Sequence, residues 1–270
     1  MIPIGSHPAW HPVMETLAYA AGFAVYRWQR ARQGDIVAEP QRWTVLAGAA
    51  VGALVGSRAL GLAEQWPTVM EAWRTGRMME LVLSPGGKTI VGGLLGGWLG
   101  VEIVKKASGI TRRTGDLFAL PLCVGIAVGR VGCLLAGLAD DTYGKPTALP
   151  WAVNLGDGIG RHPVQVYEIL FLAMLGWLVS SIPVAGSVSG HDFSHAESAA
   201  KSSRALAPEG ARFRIFLGGY LAWRIVIDFL KPQPLIDGMN LIQWSCVAGI
   251  LLLLLDEDLG RKGMHEQTAR

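Results

Sequence analysis

Long apolar stretches alternate along the chain with short polar segments that hold most of the charged residues. Several of these stretches approach the roughly 20 residues that a helix needs to cross a bilayer. A spanning segment must satisfy its own backbone N–H and C=O groups, which favours helices. The pattern predicts an all-α polytopic membrane protein, folded as one membrane-embedded domain over residues 1–270 with about seven transmembrane helices. The predicted spans lie near Pro12–Trp28, Trp43–Leu62, Thr89–Val104, Leu117–Leu138, Pro163–Ile182, Phe213–Leu230 and Met239–Leu255.

Lysine and arginine are concentrated in alternate connecting segments, and this asymmetry predicts the orientation of the spans. Cytoplasmic loops carry an excess of positive charge, so we predict the N-terminus outside and the C-terminus in the cytoplasm. The segment 184–210 is rich in Ser, Ala, Gly and His, and we predict a flexible cytoplasmic loop there rather than a metal site. The basic residues that set the orientation are Arg27, Arg30, Arg32, Arg42, Lys105, Lys106, Arg112, Arg113, Lys201, Arg204, Arg212, Arg214, Arg261 and Lys262.

Composition supports the membrane assignment and excludes several other classes of protein. Hydrophobic residues make up 51% of the chain and charged residues 17%, whereas a soluble domain has about 25% charged residues. The mean hydropathy is +0.34. All three cysteines lie in apolar segments, which argues against a disulfide framework. Residues 1–10 lack a basic region and a cleavage motif, so we expect no removable signal peptide, and motifs for binding nucleic acid are absent.

Glycine is unusually frequent, at 35 of 270 residues, and its spacing predicts close helix contacts. Gly92, Gly96 and Gly100 repeat every four residues, which places them on one face of a helix. Small residues on such a face let two transmembrane backbones approach closely. A second ladder of small residues runs from Gly125 to Gly137. We predict that both ladders pack helices together and have no chemical role.

Three arginines, Arg58, Arg130 and Arg224, lie inside predicted spans. An arginine at the centre of a bilayer costs about 2.5–3.5 kcal/mol in insertion experiments. Such residues therefore face the interior of a bundle and find a partner, either in a structural charge network or in a bound ligand. Other polar residues also lie within the predicted spans. Glu15 and Tyr19 are four residues apart in the first span, Glu168 lies in the fifth, and Asp228 follows Arg224 by four residues in the sixth.

The depth of the arginines favours a ligand. Arg58 and Arg130 lie about fifteen residues beyond the basic inner ends of their spans, roughly 22 Å along a helix. Arg224 lies near the middle of the membrane or slightly beyond. Guanidinium groups offer planar, paired donors to phosphate oxygens. The sequence therefore predicts one cavity in the outer half of the bundle that binds the head group of an anionic phospholipid.

The outer connection between the fourth and fifth spans adds polar side chains to this region. Asp140 and Asp141 could bind a metal ion, but two adjacent carboxylates are weak support, and a turn is an equally good explanation. Pro163 suits the first turn of the fifth span. The remaining polar residues of the predicted outer mouth are His162, Gln165, Tyr167 and Glu168.

At these residues the sequence resembles the bacterial prolipoprotein diacylglyceryl transferases. The stretch Val128–Leu134, with Tyr143–Thr147 and Leu149–Trp151, resembles a signature in which Gly-Arg-x-Gly-Asn-Phe precedes Asn-Gly-Glu, Trp-Gly-Arg-Pro-Thr and Leu-Pro-Trp. The block Arg161–Glu168 matches the next family motif almost letter for letter. Shorter matches in the same order are Tyr19–Phe23, Gly56–Arg58, Gly86–Leu94, and Arg224 with Asp228 where the family has Arg and Glu.

The resemblance implies an enzyme that joins a diacylglyceryl group from phosphatidylglycerol to a lipobox cysteine thiol of a preprolipoprotein, releasing glycerol phosphate. It implies no cofactor. It also implies a multi-pass protein of the bacterial cytoplasmic (inner) membrane whose active site faces outwards. The residues matched to phospholipid activation are Arg130 and Arg224. The residues expected to bind substrate are Tyr19, Arg58, Gly144, Gln165, Tyr167, Glu168 and Asp228.

The sequence also departs from the family pattern on the side that would serve the acceptor. The family's His before Gly-Gly is Val91, and its signature Asn is Cys133. A thiol acceptor must lose a proton to become nucleophilic, so another base is needed. His162 and Asp141 are our catalytic candidates, with Asp141 placed at the family's Glu position. For Cys133 we favour a role in helix packing over one as a covalent nucleophile.

Three functions remain open at this point. The first is lipoprotein diacylglyceryl transfer, and the second is a related phospholipid-dependent transfer to a lipid, glycan or small molecule. The third is lipid binding or transport without catalysis. The arginines and the block Arg161–Glu168 favour an enzyme over the third function, whereas Val91 and Cys133 favour a changed acceptor. A transporter built from inverted repeats would have two similar halves, and no such symmetry is visible.

Overall fold

The computed structural model describes residues 1–84, 86–183 and 207–268, with side chains up to residue 256. Most of the predicted flexible loop lies outside the described residues. The helices are α1 (Trp10–Gln33), α2 (Glu39–Glu64), α3 (Trp66–Arg74), α4 (Met78–Leu83), α5 (Ile90–Ala107), α6 (Asp116–Ala136), α7 (Val164–Ser181), α8 (Ala211–Ile227) and α9 (Leu241–Thr268). Short 3₁₀ turns follow α6 (Gly137–Asp140) and α8 (Asp228–Leu230).

Every predicted span overlaps one long helix, namely α1, α2, α5, α6, α7, α8 or α9. Three helical segments within the described residues meet the length and hydropathy expected of a membrane span: Glu39–Glu64, Asp116–Asp140 and Val164–Ser181. The protein is therefore an all-α membrane protein in its main architecture. The short helices α3 and α4 lie between the second and third predicted spans and were not predicted from the sequence.

The chain divides into two compact units. The first contains Met1–Ile36, Arg112–Tyr220 and Phe229–Pro232, and the second contains Val37–Thr111, Leu221–Asp228 and Gln233–Arg270. Helix α8 contributes residues to both units, because the division falls between Tyr220 and Leu221.

In the first unit, α1 packs along α6, and α6 also packs on α7. Small residues permit the approach of α1 and α6, since a Cβ added at Gly125 would lie 3.2 Å from the Ala18 carbonyl oxygen. A three-stranded sheet caps this unit, with β2 (Val153–Asn154) between β1 (Ile2–Pro3) and β3 (Gly160–Arg161). Helix α6 ends where Gly137 adopts a φ of +66°, a conformation that glycine enters without steric cost.

In the second unit, α2 and α5 cross at a close contact lined by glycines from both helices. A Cβ added at Gly52 would collide with the Gly96 carbonyl oxygen, and one at Gly56 would collide with that of Gly92. The predicted packing role of the Gly92–Gly100 ladder is thus confirmed. Thr89 caps the start of α5 by accepting a hydrogen bond from Gly92 N at 3.2 Å.

Helix α9 begins with a reciprocal cap. The side chain of Asn240 accepts a hydrogen bond from Gln243 N at 2.8 Å, while the Gln243 side chain accepts one from Asn240 N at 2.7 Å. This arrangement satisfies two backbone donors that a helix start would otherwise leave unpaired. The Gln243 amide then donates to the Ile225 carbonyl at 2.7 Å, near the end of α8. The cap therefore ties the start of α9 to the turn of α8 that carries Arg224.

Candidate active site

Arg130 on α6 forms a buried ion pair with Glu168 on α7. Its Nε lies 2.9 Å from Glu168 Oε2, and only 5% and 2% of the two side chains are exposed. Tyr220 on α8, fully buried, donates its hydroxyl to Glu168 Oε1 at 2.6 Å. Both oxygens of the carboxylate thus have partners on two different helices, which fixes the orientation of the guanidinium.

This arrangement explains how a charge can persist inside an apolar helix. A single buried charge costs several kcal/mol, whereas a pair with satisfied hydrogen bonds recovers much of that cost. Glu168 binds the Nε edge of Arg130, and a guanidinium has further N–H donors in a fixed planar array. One of these nitrogens, Nη1, lies 3.7 Å from Cys133 Sγ. Arg130 is therefore an oriented cation with donors on the side of Cys133.

Arg224 and Asp228 form a second buried ion pair, in the second unit. The Arg224 Nη2 atom lies 3.0 Å from Asp228 Oδ1 and 3.1 Å from Oδ2, with 5% and 0% of the side chains exposed. The predicted contact across four residues is confirmed. Asp228 begins the 3₁₀ turn that follows α8, so the pair sits where the helix changes its winding.

Arg58 on α2 holds a loop of its own unit. Its guanidinium donates to the carbonyl oxygens of Leu81 at 2.7 Å and Ser84 at 2.6 Å, and also to those of Val82 and Gly86. These contacts hold the last turn of α4 and the segment that follows it against the arginine. Arg58 and Arg224 belong to the second unit and Arg130 to the first, and one cavity shared by all three stays a prediction.

Three of the predicted outer-mouth residues, His162, Gln165 and Tyr167, have described contacts in the first unit. His162 N donates to the Lys145 carbonyl at 3.0 Å, and a Cβ at Gly144 would collide with the His162 carbonyl oxygen, so glycine is required there. The Gln165 amide donates to the Thr142 carbonyl at 3.4 Å. The ring of His162 packs edge-on to that of Tyr167, with centroids 6.3 Å apart.

The two predicted catalytic residues of this region differ in accessibility. The Nδ1 atom of His162 is buried and has no hydrogen-bond partner among the described residues. Asp141 is exposed and ends the 3₁₀ turn in the left-handed conformation, with a φ of 53°. Tyr167 OH accepts a hydrogen bond from Trp151 Nε1 at 2.8 Å. Proton transfer through His162 or Asp141 stays a prediction.

Arg161, on the neighbouring strand β3, forms an ion pair with a nearby carboxylate. The Arg161 guanidinium donates to Asp157 Oδ2 at 2.6 Å, and this hydrogen bond lowers the pKa of the Asp157 carboxyl. The same guanidinium lies 4.8 Å from the ring centroid of Tyr143. Arg161 therefore joins the 156–158 turn to the loop that contains Gly144.

Tyr19 on α1 is 72% exposed, and its hydroxyl lies 3.4 Å from Glu15 Oε1. The shared helical face predicted for the two residues is confirmed. Neither side chain joins the Arg130 pair in the contacts described here. A role of Tyr19 in substrate binding stays a prediction.

Sequence reasoning missed two residues of this region. Tyr220 lies four residues before Arg224, so the helical spacing could have placed it on the arginine's face. His11 lies beside Asp140, with 2.9 Å between His11 Nε2 and Asp140 Oδ1, and no local spacing indicates that contact. His11, Asp140 and Cys133 have side-chain ligand atoms within 4.8 Å of one another, which makes them the one potential metal cluster found in the described part of the chain.

Comparison with known proteins identifies one family. The model of the family described as prolipoprotein diacylglyceryl transferase matches residues 1–255. Proteins named phosphatidylglycerol–prolipoprotein diacylglyceryl transferase are similar to this chain over most of its length. The one from Bordetella avium is 26% identical and the alignment covers 94% of this chain and 91% of the relative. The one from Methylobacillus flagellatus is 29% identical, with 91% of each chain covered.

Some relatives align with this chain over a shorter length. The Bordetella parapertussis transferase is 29% identical over 174 residues, which is 58% of this chain and 56% of the relative. The alignment thus spans little more than half the length of that relative.

Proposed function

The chain belongs to the prolipoprotein diacylglyceryl transferase family, and on that premise we propose that it transfers a diacylglyceryl group from phosphatidylglycerol to a prolipoprotein cysteine. The observation that carries the proposal is the oriented Arg130, held by Glu168 and Tyr220 inside apolar helices. A guanidinium that is buried yet keeps donors available suits a phosphodiester, which brings a negative charge into the same apolar surroundings.

The reaction that follows is a displacement at the glycerol carbon bonded to the phosphate oxygen. The acceptor thiol gives up its proton, its sulfur forms a C–S bond, and the C–O bond to the phosphate breaks. The electron pair of that bond goes to the phosphate oxygen, and glycerol phosphate leaves. Arg130 stabilises the developing charge, because its guanidinium is already oriented by Glu168. A matching role for Arg224, which Asp228 orients within the second unit, stays a prediction from the sequence.

Cys133 does not act as a covalent nucleophile in this mechanism. Attack by its sulfur on the glycerol carbon would produce a thioether, and a thioether sulfur is a poor leaving group that cannot pass the lipid on to a second thiol. Its burial on α6 and its contact with Arg130 support a packing and positioning role instead.

We further propose that all seven long helices span the bacterial cytoplasmic membrane, with the N-terminus outside and the active site facing outwards. The arrangement of basic residues supports this orientation. Phosphatidylglycerol would then enter sideways from the outer leaflet, and the lipoprotein acceptor would approach from the outer surface.

A second candidate is transfer of the same group to a different acceptor. Val91, where the family has His, is almost completely buried, at 1% exposure, and precedes Gly92 in the first turn of α5. An apolar residue at that position removes the family's proton acceptor, and this change favours an acceptor other than a thiol. The Arg130–Glu168 pair serves the phospholipid in either case.

The decisive experiment supplies purified protein with phosphatidylglycerol labelled in its acyl chains and a synthetic lipobox peptide. Mass spectrometry should detect a thioether-linked diacylglyceryl peptide together with free glycerol phosphate. A peptide whose cysteine is replaced by serine is the matched control and should remain unmodified. Release of glycerol phosphate with the lipid on another molecule would support the second candidate, and no lipid turnover at all would contradict both.

A further inference from the structure

His11, Asp140 and Cys133 form a polar cluster at the end of α6 that the proposed chemistry has not used. His11 Nε2 lies 2.9 Å from Asp140 Oδ1. Asp140 Oδ2 accepts a hydrogen bond from the Thr142 hydroxyl, and the carboxylate also lies within hydrogen-bonding reach of the Cys133 thiol. Asp140 thus has polar contacts on both oxygens, and it holds the imidazole of His11 in one orientation.

The position of His11 is fixed by the segment that precedes α1. The Ser6 hydroxyl donates to the Ala136 carbonyl at 2.8 Å, and His7 N donates to the Leu135 carbonyl at 2.7 Å. Both carbonyls belong to the last turn of α6, which lacks helical partners of its own. Gly132 lets α1 approach closely, since an added Cβ would lie 2.7 Å from Met14 Cβ. The first turn of α1 is therefore locked onto the end of α6.

The cluster lies next to the proposed phosphate-binding group. Cys133 Sγ is 3.7 Å from Arg130 Nη1, so the same thiol touches both the arginine and Asp140. The His11 side chain is 38% exposed, whereas Asp140 is only 11% exposed. The imidazole is thus reachable by an incoming molecule and the carboxylate behind it is protected, which is the arrangement expected of a base and its orienting partner.

We infer that His11 is the general base that accepts the proton of the acceptor thiol, and that Asp140 is its positioning residue. The inference rests on the proposed function. With Nε2–H donated to Asp140, the Nδ1 atom is left as the proton acceptor. The acceptor S–H proton moves to Nδ1 as sulfur attacks the glycerol carbon, and it passes to water once glycerol phosphate has left. This base would replace the histidine that Val91 removes from the family pattern, in the role that the sequence alone predicts for His162 or Asp141.

The charges around the ring support this role over metal binding. Among the described residues, side-chain contacts place Asp140 and Cys133 beside His11, and Arg130 lies beside the thiol. His7 and Glu15 lie four residues before and after His11 along the chain. Histidine, cysteine and carboxylate are also the ligand types of zinc. A guanidinium 3.7 Å from the sulfur, however, repels a divalent cation and stabilises an anion. The cluster is therefore better suited to accepting a proton from an incoming thiol than to binding a metal ion.

The test compares His11→Gln with His7→Gln, an exposed histidine on the same segment, as the matched control. At pH 7, His11→Gln should lower kcat/KM for a lipobox peptide by about 10²–10⁴-fold. Phosphatidylglycerol binding and thermal stability should be unchanged, and His7→Gln should match the wild type. Asp140→Asn should lower kcat/KM less than His11→Gln does, because the imidazole is kept and only its orienting carboxylate is lost. The deficit of Asp140→Asn should also shrink at pH 9, where the acceptor thiol needs no base.

The activity of His11→Gln at higher pH distinguishes a role of His11 as a base from a purely structural role. An ordinary cysteine thiol has a pKa of about 8.5, so about 3% of it is ionised at pH 7 and most of it at pH 9. The deficit of His11→Gln should therefore shrink at least tenfold at pH 9. The inference would be overturned if the deficit of His11→Gln were equal at both pH values, or if the variant were fully active. It would also be overturned if the wild type contained stoichiometric zinc whose removal abolished activity. A wild-type protein that fails to lipidate the peptide would refute the proposed function itself, and this inference with it.

Discussion

Replacing Glu168 by Gln tests whether Arg130 is held as a cation awaiting an anion. The substitution keeps the shape of the side chain and its hydrogen bond from Tyr220 but removes the negative charge beside Arg130. Two unit charges 2.9 Å apart attract by about 6 kcal/mol at an effective dielectric constant of 20. Removing one partner of a buried pair costs about 3–5 kcal/mol in measured cases. We expect a loss near the lower end, because the Gln carbonyl still accepts a hydrogen bond.

Phosphatidylglycerol should restore part of that stability. A lipid phosphate that binds Arg130 would supply the missing negative charge, so the lipid should raise the unfolding temperature of Glu168→Gln more than that of the wild type. A loss of about 3 kcal/mol corresponds to a fall in the midpoint on the order of 10 °C. Intrinsic fluorescence of the 10 tryptophans in detergent, with and without phosphatidylglycerol, measures both quantities.

The matched control is Glu71→Gln, an exposed glutamate on α3. It should change the midpoint little in either condition. Two results would refute the reasoning. A Glu168→Gln variant as stable as the wild type would mean that Arg130 does not depend on the carboxylate. A destabilised variant that gains no more from phosphatidylglycerol than the wild type would mean that the lipid phosphate does not bind beside Arg130.

Three further tests address the arginines, the helix contact at Gly52 and the role of Cys133. Arg130→Ala or Arg224→Ala should abolish diacylglyceryl transfer to a lipobox peptide. Lys at either position should restore the transfer only in part, because lysine lacks paired donors. Full turnover of both alanine variants would mean that the two arginines have a structural role only. Gly52→Val should reduce folded protein, measured by gel filtration in detergent, because its side chain collides with Gly96 of α5, and normal folding would contradict the close contact. Cys133→Ser should keep most of its transfer activity in the same peptide assay, whereas complete loss would reopen covalent catalysis by Cys133.

Much of the fold was predictable because a bilayer imposes a simple length rule on apolar helices. The fourth predicted span, Leu117–Leu138, corresponds to α6 (Asp116–Ala136) within a few residues. The first, Pro12–Trp28, is extended by α1 to Gln33, since a helix continues into the polar segment beyond the apolar stretch. Helices α3 and α4 have 9 and 6 residues, too short to be marked by a rule based on spanning length.

The site was predictable only where partners are close in sequence. Arg224 and Asp228 are four residues apart, so helical geometry alone places them together. Glu168 was marked as a polar residue of its span, but its pairing with Arg130 depends on how α6 and α7 pack. The same holds for β1, two residues long, which pairs in parallel with a strand some 150 residues later. Contacts of this kind arise from tertiary packing, and hydrophobic periodicity carries no information about them.

The pairing of each arginine with a carboxylate bears on how such a site can work in an apolar environment. An unpaired guanidinium would be costly before substrate arrives, and a fully satisfied one would have nothing left to offer a phosphate. Glu168 contacts Arg130 through the Nε edge, so this cation is stabilised while its Nη1 faces Cys133. Asp228 contacts Arg224 through Nη2 and stabilises that cation in its own unit. The carboxylates also keep net charge low until the anionic lipid binds. Negative charge builds on the leaving phosphate oxygen in the transition state, so the guanidinium binds the phosphodiester more strongly there than in the ground state. Such differential binding lowers the barrier of the reaction, whereas equal binding would only hold the lipid in place.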